Sequence, residues 1–185
     1  MDLPENAIVF CSFNRPEKIE PVIFDAWVRI LKRVPQSVLW LMASNRTARA
    51  NLIDEALRRG LPAERLIFAD AMPKARHLQR LRLADVMLDT RIVNGHTTTS
   101  DALWAGLPVI TLAGSQFASR VSESCLEAIG LPELVTRSLD EYESLAVRLA
   151  EDADLRQNLR ARLWANRLTQ PLFDTRRFTR NLETA

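Results

Sequence analysis

Two cysteines, two histidines and five glycines are all this chain holds of the residues that usually build metal cages, disulfide frameworks and glycine-rich loops. Cys11 and Cys125 lack Cys-x-x-Cys spacing, so two reduced, buried thiols are expected rather than a disulfide or a metal site. With only His77 and His96, a histidine-based zinc site is not expected. No stretch reaches the roughly 18 apolar residues of a membrane-spanning helix, and the N-terminus has no basic-then-apolar leader. A net charge of +2 and a sequence pI near 8.8 are too weak a basic excess to argue for nucleic acid or a membrane surface. No internal repeat, low-complexity tract or linker is apparent. What remains is a globular composition, 47% hydrophobic over 185 residues, suited to one domain or one domain plus an appendage. A cytoplasmic location is expected.

Short apolar runs alternate with helical periodicity along the chain. Ala7–Cys11, Ser37–Met42, Arg65–Phe68, Val86–Leu88 and Pro108–Leu112 read as strands, with Leu134-Val135 as a weak sixth. Between them lie helices expected at about 19–32 (Ile23, Trp27, Ile30 and Leu31 facing inward) and from a Ser44 or Asn45 cap to Arg59 (Leu52, Ile53, Ala56 and Leu57 facing inward). Others are expected at about 74–83 behind Pro73, after residue 96 until Gly106, and at about 118–129. The remainder reads as helix over about 139–151, 154–168 and 176 to the end. The strands hardly alternate in polarity, as expected when both faces are covered. The fold class is therefore α/β, a doubly wound parallel sheet. In such sheets ligands bind beyond the carboxyl ends of the strands.

One stretch stands out at that edge. Asp89 to Asp101 runs from a strand through a Gly-containing turn into a helix that opens Thr97-Thr98-Thr99. Threonines are poor helix formers but good cappers, and a helix N-terminus attracts anions, phosphate above all. Asp101 lies about one turn in and leans back toward the N-terminus, where it could accept from a sugar hydroxyl. The alternative is a capped helix start that binds nothing.

The chain resembles, nearly end to end, the C-terminal half of the catalytic region of the SPINDLY-like, tetratricopeptide-linked O-linked N-acetylglucosaminyl transferases. Asn94-Gly95-His96-Thr97-Thr98 ahead of Asp101 and Leu103-Trp104-Ala105-Gly106 carries this most specifically. Phe13-Asn14 with Lys18-Ile19, Pro73-Lys74 with His77 and Arg80, Asp89-Thr90, Ala118-Ser119-Arg120-Val121 and Pro171-Leu172-Phe173 agree with it. The resemblance implies the Rossmann-like donor half of a two-domain GT-B glycosyltransferase, with residues 1–150 holding the nucleotide sugar. It also implies that residues 151–185 form C-terminal helices packed on that domain or on an absent N-terminal half. The implied reaction is inverting and metal-independent, with no cofactor: N-acetylglucosamine passes from UDP-N-acetylglucosamine to a protein serine or threonine. Implied partners are the UDP-sugar, the acceptor protein, and the N-terminal half and tetratricopeptide repeats of a longer protein.

The same resemblance implies residue roles. His96, Thr97 and Thr98 would cradle the diphosphate, and Asp101 would bind the ribose hydroxyls. Lys18 would neutralise the departing diphosphate, with the base on the absent half. Lys74 and His77 would hold the uracil and its ribose edge, Ala71 would read the base through its backbone, and Arg80 would support His77. Asn14 and Arg15 belong to the same donor-binding set. Each has a plainer alternative: a solvated lysine for Lys18 and Lys74, a surface histidine for His77, a turn residue for His96, a dipole-favoured acid for Asp101. Two departures bear on the set. Thr99 replaces a glycine of the family pattern, which is expected to loosen backbone approach to the diphosphate, and Arg15 replaces a glutamine. The chain is expected to be a fragment that binds UDP weakly and is inactive alone. A non-catalytic protein-interaction module and a related GT-B glucosyl transferase are the alternatives.

Overall fold

The structure is a computed structural model that describes residues 3–184. Six parallel strands form its sheet: β1 Ile8–Ser12, β2 Ser37–Met42, β3 Leu66–Ala69, β4 Val86–Leu88, β5 Val109–Leu112 and β6 Val135–Thr136, in the order β3-β2-β1-β4-β5-β6. The chain winds outward in one direction through β1, β2 and β3, then returns past β1 to build β4, β5 and β6. The order reverses between β1 and β4, the switch point at which doubly wound sheets open a crevice. Those two strands pair only at Phe10–Val86 and Cys11–Met87, and beyond that pairing side-chain bonds from Asn14 and Lys18 join the loops that follow them.

The helices are α1 Pro21–Arg33, α2 Arg46–Arg58, α3 Lys74–Leu81, α4 Thr97–Trp104, α5 Val121–Ala128, α6 Leu139–Glu151, α7 Ala153–Asn166 and α8 Thr175–Glu183. Helices α1 and α6 pack on each other, and α4 sits among α3, α5 and α7. The strands are buried almost throughout, as a sheet covered on both faces requires. Trp27 and Trp40 are fully buried, as is Phe10 at the centre of β1. The Trp27 indole N–H donates to Tyr142 Oη on α6 at 3.1 Å, which satisfies the one polar atom that this large side chain takes into the core.

Several elements differ from expectation for identifiable reasons. Helix α1 starts at Pro21 rather than at residue 19, because Glu20 caps it by accepting from the N–H groups of Val22 and Ile23 (2.8 and 3.0 Å). Lys18 consequently ends a 3-10 turn, Pro16–Lys18, in the loop above β1. Helix α2 is capped by Asn45 as expected, but of its apolar face only Ala56 is buried, while Leu57 is 53% exposed. Arg49 and Arg59 lie over the rings of Phe68 and Phe24 and cover that flank with their side chains instead. The helix expected at 118–129 is split. Ser119 Oγ bonds back to Gln116 O at 2.9 Å, holding Phe117–Ser119 as a 3-10 turn before α5 begins at Val121.

Helix α7 packs on this body. It buries Leu159 and Leu163, and Asn166 donates to Ile129 O at 2.8 Å. Helix α8 buries no residue, and Phe178 and Leu182 stay exposed along it. Its expected run to the chain end includes Ala185, which lies outside the described residues. Cys11 and Cys125 are free, Cys11 buried and Cys125 half-buried; burial pushes both thiols up. No helix among the described residues is long and apolar enough to cross a membrane.

Candidate functional site

The crevice at the switch point is framed by two loops, residues 13–20 after β1 and residues 89–96 after β4. Buried hydrogen bonds fix the second loop. Asp89, 1% exposed, accepts from the Gly95 N–H at 2.7 Å, the Asn14 amide at 3.1 Å and the Thr111 hydroxyl at 2.9 Å. Burial pushes its carboxyl above the usual carboxylate range, against the donors that pull it down. The Tyr142 hydroxyl donates to the Asp89 carbonyl at 2.9 Å. Asn94 donates to Thr90 O at 2.7 Å, and Ser122 Oγ donates to Gly95 O at 3.1 Å. Gly95 is required by close approach: an added Cβ would run into Thr99 Oγ1 and lie 3.1 Å from the Thr99 nitrogen.

This network delivers the chain to the start of α4, whose N-cap, His96, makes no side-chain capping bond. The threonines were expected as cappers, and none of them caps the helix. Thr97 and Thr98 line a cleft of about 280 Å³ together with Phe13, Met42, Ala71, Met72, Lys74, His77, Arg80 and Asp101. Six side chains expected at a donor site, three on α3 and three on α4, thus border one cavity. Thr99 does not. Its hydroxyl is buried 2.7 Å from Ser122 Oγ, so it braces the turn from behind.

Lys74 on α3 and Asp101 on α4 form an ion pair across the cleft. Arg80, 3% exposed, donates to Asp70 O at 2.7 Å and to His77 Nδ1 at 2.9 Å. Burial pulls the His77 imidazole below its usual value; the Arg80 charge adds to this, Lys74 adds less, and Asp101 opposes. Phe13 backs the arrangement, with its ring edge-to-face with His77 at 5.4 Å and beneath the Arg80 guanidinium at 4.5 Å. The Ala71 N–H lies 3.3 Å from Ser44 Oγ and donates to it.

Lys18 comes from the other loop. Its ammonium donates to Asn94 O at 2.7 Å, on the turn that leads into α4. Burial pulls its pKa down, Asp89 opposes this, and Arg15 adds to it. Arg15 is exposed and lines a neighbouring hollow with Lys18, Glu20 and Val93. Asn14 departs from expectation. At 1% exposure its amide nitrogen donates to Asp89 and to Thr90 Oγ1 (3.1 Å each), while its buried Oδ1 has no partner among the described residues, so it holds the two loops together from within and is not among the residues lining the cleft. His96 is exposed at the rim, its ring 6.3 Å from that of Phe117.

Sequence reasoning missed the bracing residues Thr111, Ser122 and Tyr142, and Phe13 as the back wall. Asp89-Thr90 was visible as a motif, but nothing in the spacing links it to Asn14, 75 positions away. Chemically the site offers uncapped helix N–H groups, hydroxyls and a lysine at one end. At the other it offers a carboxylate, a second lysine and an imidazole. That polarity suits a ligand with an anionic part and a hydroxylated or heterocyclic part. Among the described residues no group of three or more His, Cys, Asp or Glu side chains could hold a metal ion.

Residues 1–182 match the model of a family described as glycosyl transferase family 41. The UDP-N-acetylglucosamine–peptide N-acetylglucosaminyltransferase of Caenorhabditis elegans is 44% identical over 181 residues, 98% of this chain and 16% of that protein. The probable enzyme of the same name, SPINDLY, from Petunia hybrida is 36% identical over 189 residues, covering 98% of this chain and 20% of that one. The chain thus spans a fifth or less of the length of these relatives. An O-GlcNAc transferase structure from Thermobaculum terrenum superposes with a TM-score of 0.91 at 34% identity, over 98% of this chain and 37% of that one.

Proposed function

Since the chain belongs to glycosyl transferase family 41, we propose that it is the donor-binding half of an enzyme that transfers N-acetylglucosamine from UDP-N-acetylglucosamine to a protein serine or threonine. One observation carries the reading. Lys74, His77, Arg80, Thr97, Thr98 and Asp101 share a single cleft, and the Lys18 ammonium reaches over from the opposite loop to the turn that starts α4.

The reaction joins the acceptor oxygen to the anomeric carbon, breaks the bond from that carbon to the diphosphate, and releases UDP. Charge accumulates on the leaving diphosphate. The N-terminal N–H groups of α4, the hydroxyls of Thr97 and Thr98, and Lys18 are arranged to stabilise it electrostatically, without a metal ion. Asp101 would exchange Lys74 for the ribose hydroxyls, and Lys74 and His77 would turn to the nucleoside, with Ala71 beside the base. Attack from the face opposite the leaving group inverts the anomeric centre. The base that takes the acceptor proton would stand on the N-terminal half, and the C-terminal end, α8 with Phe178 and Leu182, would pack on that half.

Calorimetric titration of the chain with UDP tests the reading. Binding is expected, and Lys18→Ala or Asp101→Ala should each weaken it by about ten- to a hundredfold, the worth of a hydrogen bond to a charged group. Absence of binding at millimolar UDP, with the chain folded, would refute the proposal.

A further inference from the structure

His77 and Arg80 face each other one turn apart on α3, with His77 Nδ1 2.9 Å from Arg80 Nε. A guanidinium only donates. Nδ1 must therefore accept, and the ring proton belongs on Nε2. Arg80 cannot easily turn away, since it is buried, bonded to Asp70 O at 2.7 Å and stacked on Phe13. The imidazole is clamped as well, edge-to-face with the same Phe13 ring. Orientation and tautomer are both set by neighbours rather than by solvent.

We propose that Arg80 is a positioning residue that holds His77 as the neutral Nε2–H tautomer, so that His77 meets the nucleotide sugar as an uncharged hydrogen-bond donor. Protonation at Nδ1 would set two donors against each other. The charged groups facing the ring are Arg80 and Lys74 from α3 and Asp101 from α4; burial and the two cations disfavour imidazolium, and Asp101 alone favours it. The ring therefore adds no charge to the cleft. It selects a ligand that presents an acceptor oxygen there (a base carbonyl, a ribose oxygen or a phosphoryl oxygen) and rejects a group that can only donate. Attraction of the diphosphate is left to Lys18 and the start of α4. The ligand half of this inference rests on the functional reading above; the tautomer does not.

Long-range proton–nitrogen NMR of the nitrogen-15-labelled chain reads the tautomer without any ligand. His77 and His96 are the only histidines, and a His96→Gln variant assigns the pair. The expected spectrum at neutral pH has an unprotonated Nδ1 and a protonated Nε2 for His77, with a titration midpoint below the ordinary 6.5. Arg80→Met should give a mixture of tautomers and a higher midpoint, and Arg80→Lys should recover part of the Nε2–H population. A protonated Nδ1 in the wild type overturns the proposal without reference to any variant. So does an Arg80→Met spectrum indistinguishable from wild type.

Affinity is then measured with UDP-N-acetylglucosamine, whose diphosphate has no terminal phosphate to titrate. As pH is lowered from about 8, the change in affinity should set in at a lower pH for the wild type than for Arg80→Met, and coincident profiles would count against the proposal. His77→Gln, which keeps a neutral donor, should retain about two- to tenfold more affinity than His77→Ala. Equal losses in those two variants would count against the donor role. An intact Nε2–H signature with no sugar-nucleotide binding would instead refute the functional reading.

Discussion

Replacing Asp89 by alanine strips the acceptor from three buried donors: the Gly95 N–H, the Asn14 amide and the Thr111 hydroxyl. Unpaired buried donors each cost about 1–3 kcal/mol, so Asp89→Ala should lower stability by at least about 3 kcal/mol in urea unfolding. Asp89→Asn keeps one carbonyl acceptor and should cost clearly less. If the two lose equally, the carboxylate is not what fixes the turn. Gly95→Ala forces a Cβ against Thr99 and should reduce UDP affinity by about tenfold or more, because the start of α4 must shift. Unchanged affinity would show that this turn does not shape the cleft. Residue-scale detail was the least legible part of the sequence. Lys74 and His77 on α3 and Asp101 on α4 are separated by β4, and the family resemblance, not their spacing, grouped them. Asn14 and Thr99 are equally polar in sequence but face inward, and only partners on distant segments, Asp89 and Ser122, make them do so.

At the scale of elements, local chemistry fixed what tertiary packing did not disturb. The strands were readable because burial on both faces leaves them almost without polar interruption. Helix α2 was only partly legible on its inner face: Ala56 is buried and Leu52 packs on the core, but Leu57 stays exposed, and the Arg49 and Arg59 guanidinium groups lie over Phe68 and Phe24. The start of α1 was misjudged because Glu20, an uncommon cap, accepts from two N–H groups at once. Burial raises the Glu20 carboxyl, but bonds from Arg91 and from Val22 and Ile23 outweigh it, so its pKa ends below the ordinary 4.5. A depressed carboxylate contributes stability that is present above its unfolded pKa and lost as pH falls through its folded one. Glu20→Gln should therefore cost about 1 kcal/mol near neutral pH, and the deficit should shrink as pH falls below 4.5. Chemical unfolding at a series of pH values reads this directly; a deficit independent of pH would assign the effect to shape, not charge.

The whole molecule is a sheet whose order reverses once, with helices α1 to α7 built into its body and α8 lying outside it. That arrangement predicts a tolerated truncation. Removing residues 174–185 deletes a helix with no buried side chain and should change stability by less than about 0.5 kcal/mol, as surface changes do. A large fall in thermal midpoint would mean that α8 supports the fold after all. Topology was legible because alternating strands and helices admit few windings; for the C-terminal helices two packings were left open, and α7 buries Leu159 and Leu163 on the body while α8 buries no residue. The brief pairing of β1 with β4 has one more consequence. Since the pairing of the two strands ends at Met87, the groove opens beyond it and comes with the winding itself. Its chemical preference resides in the rim. Exchanging rim side chains could redirect the groove to another ligand while the scaffold stood unchanged, whereas a substitution that prolonged the seam between those strands would close it to every ligand at once.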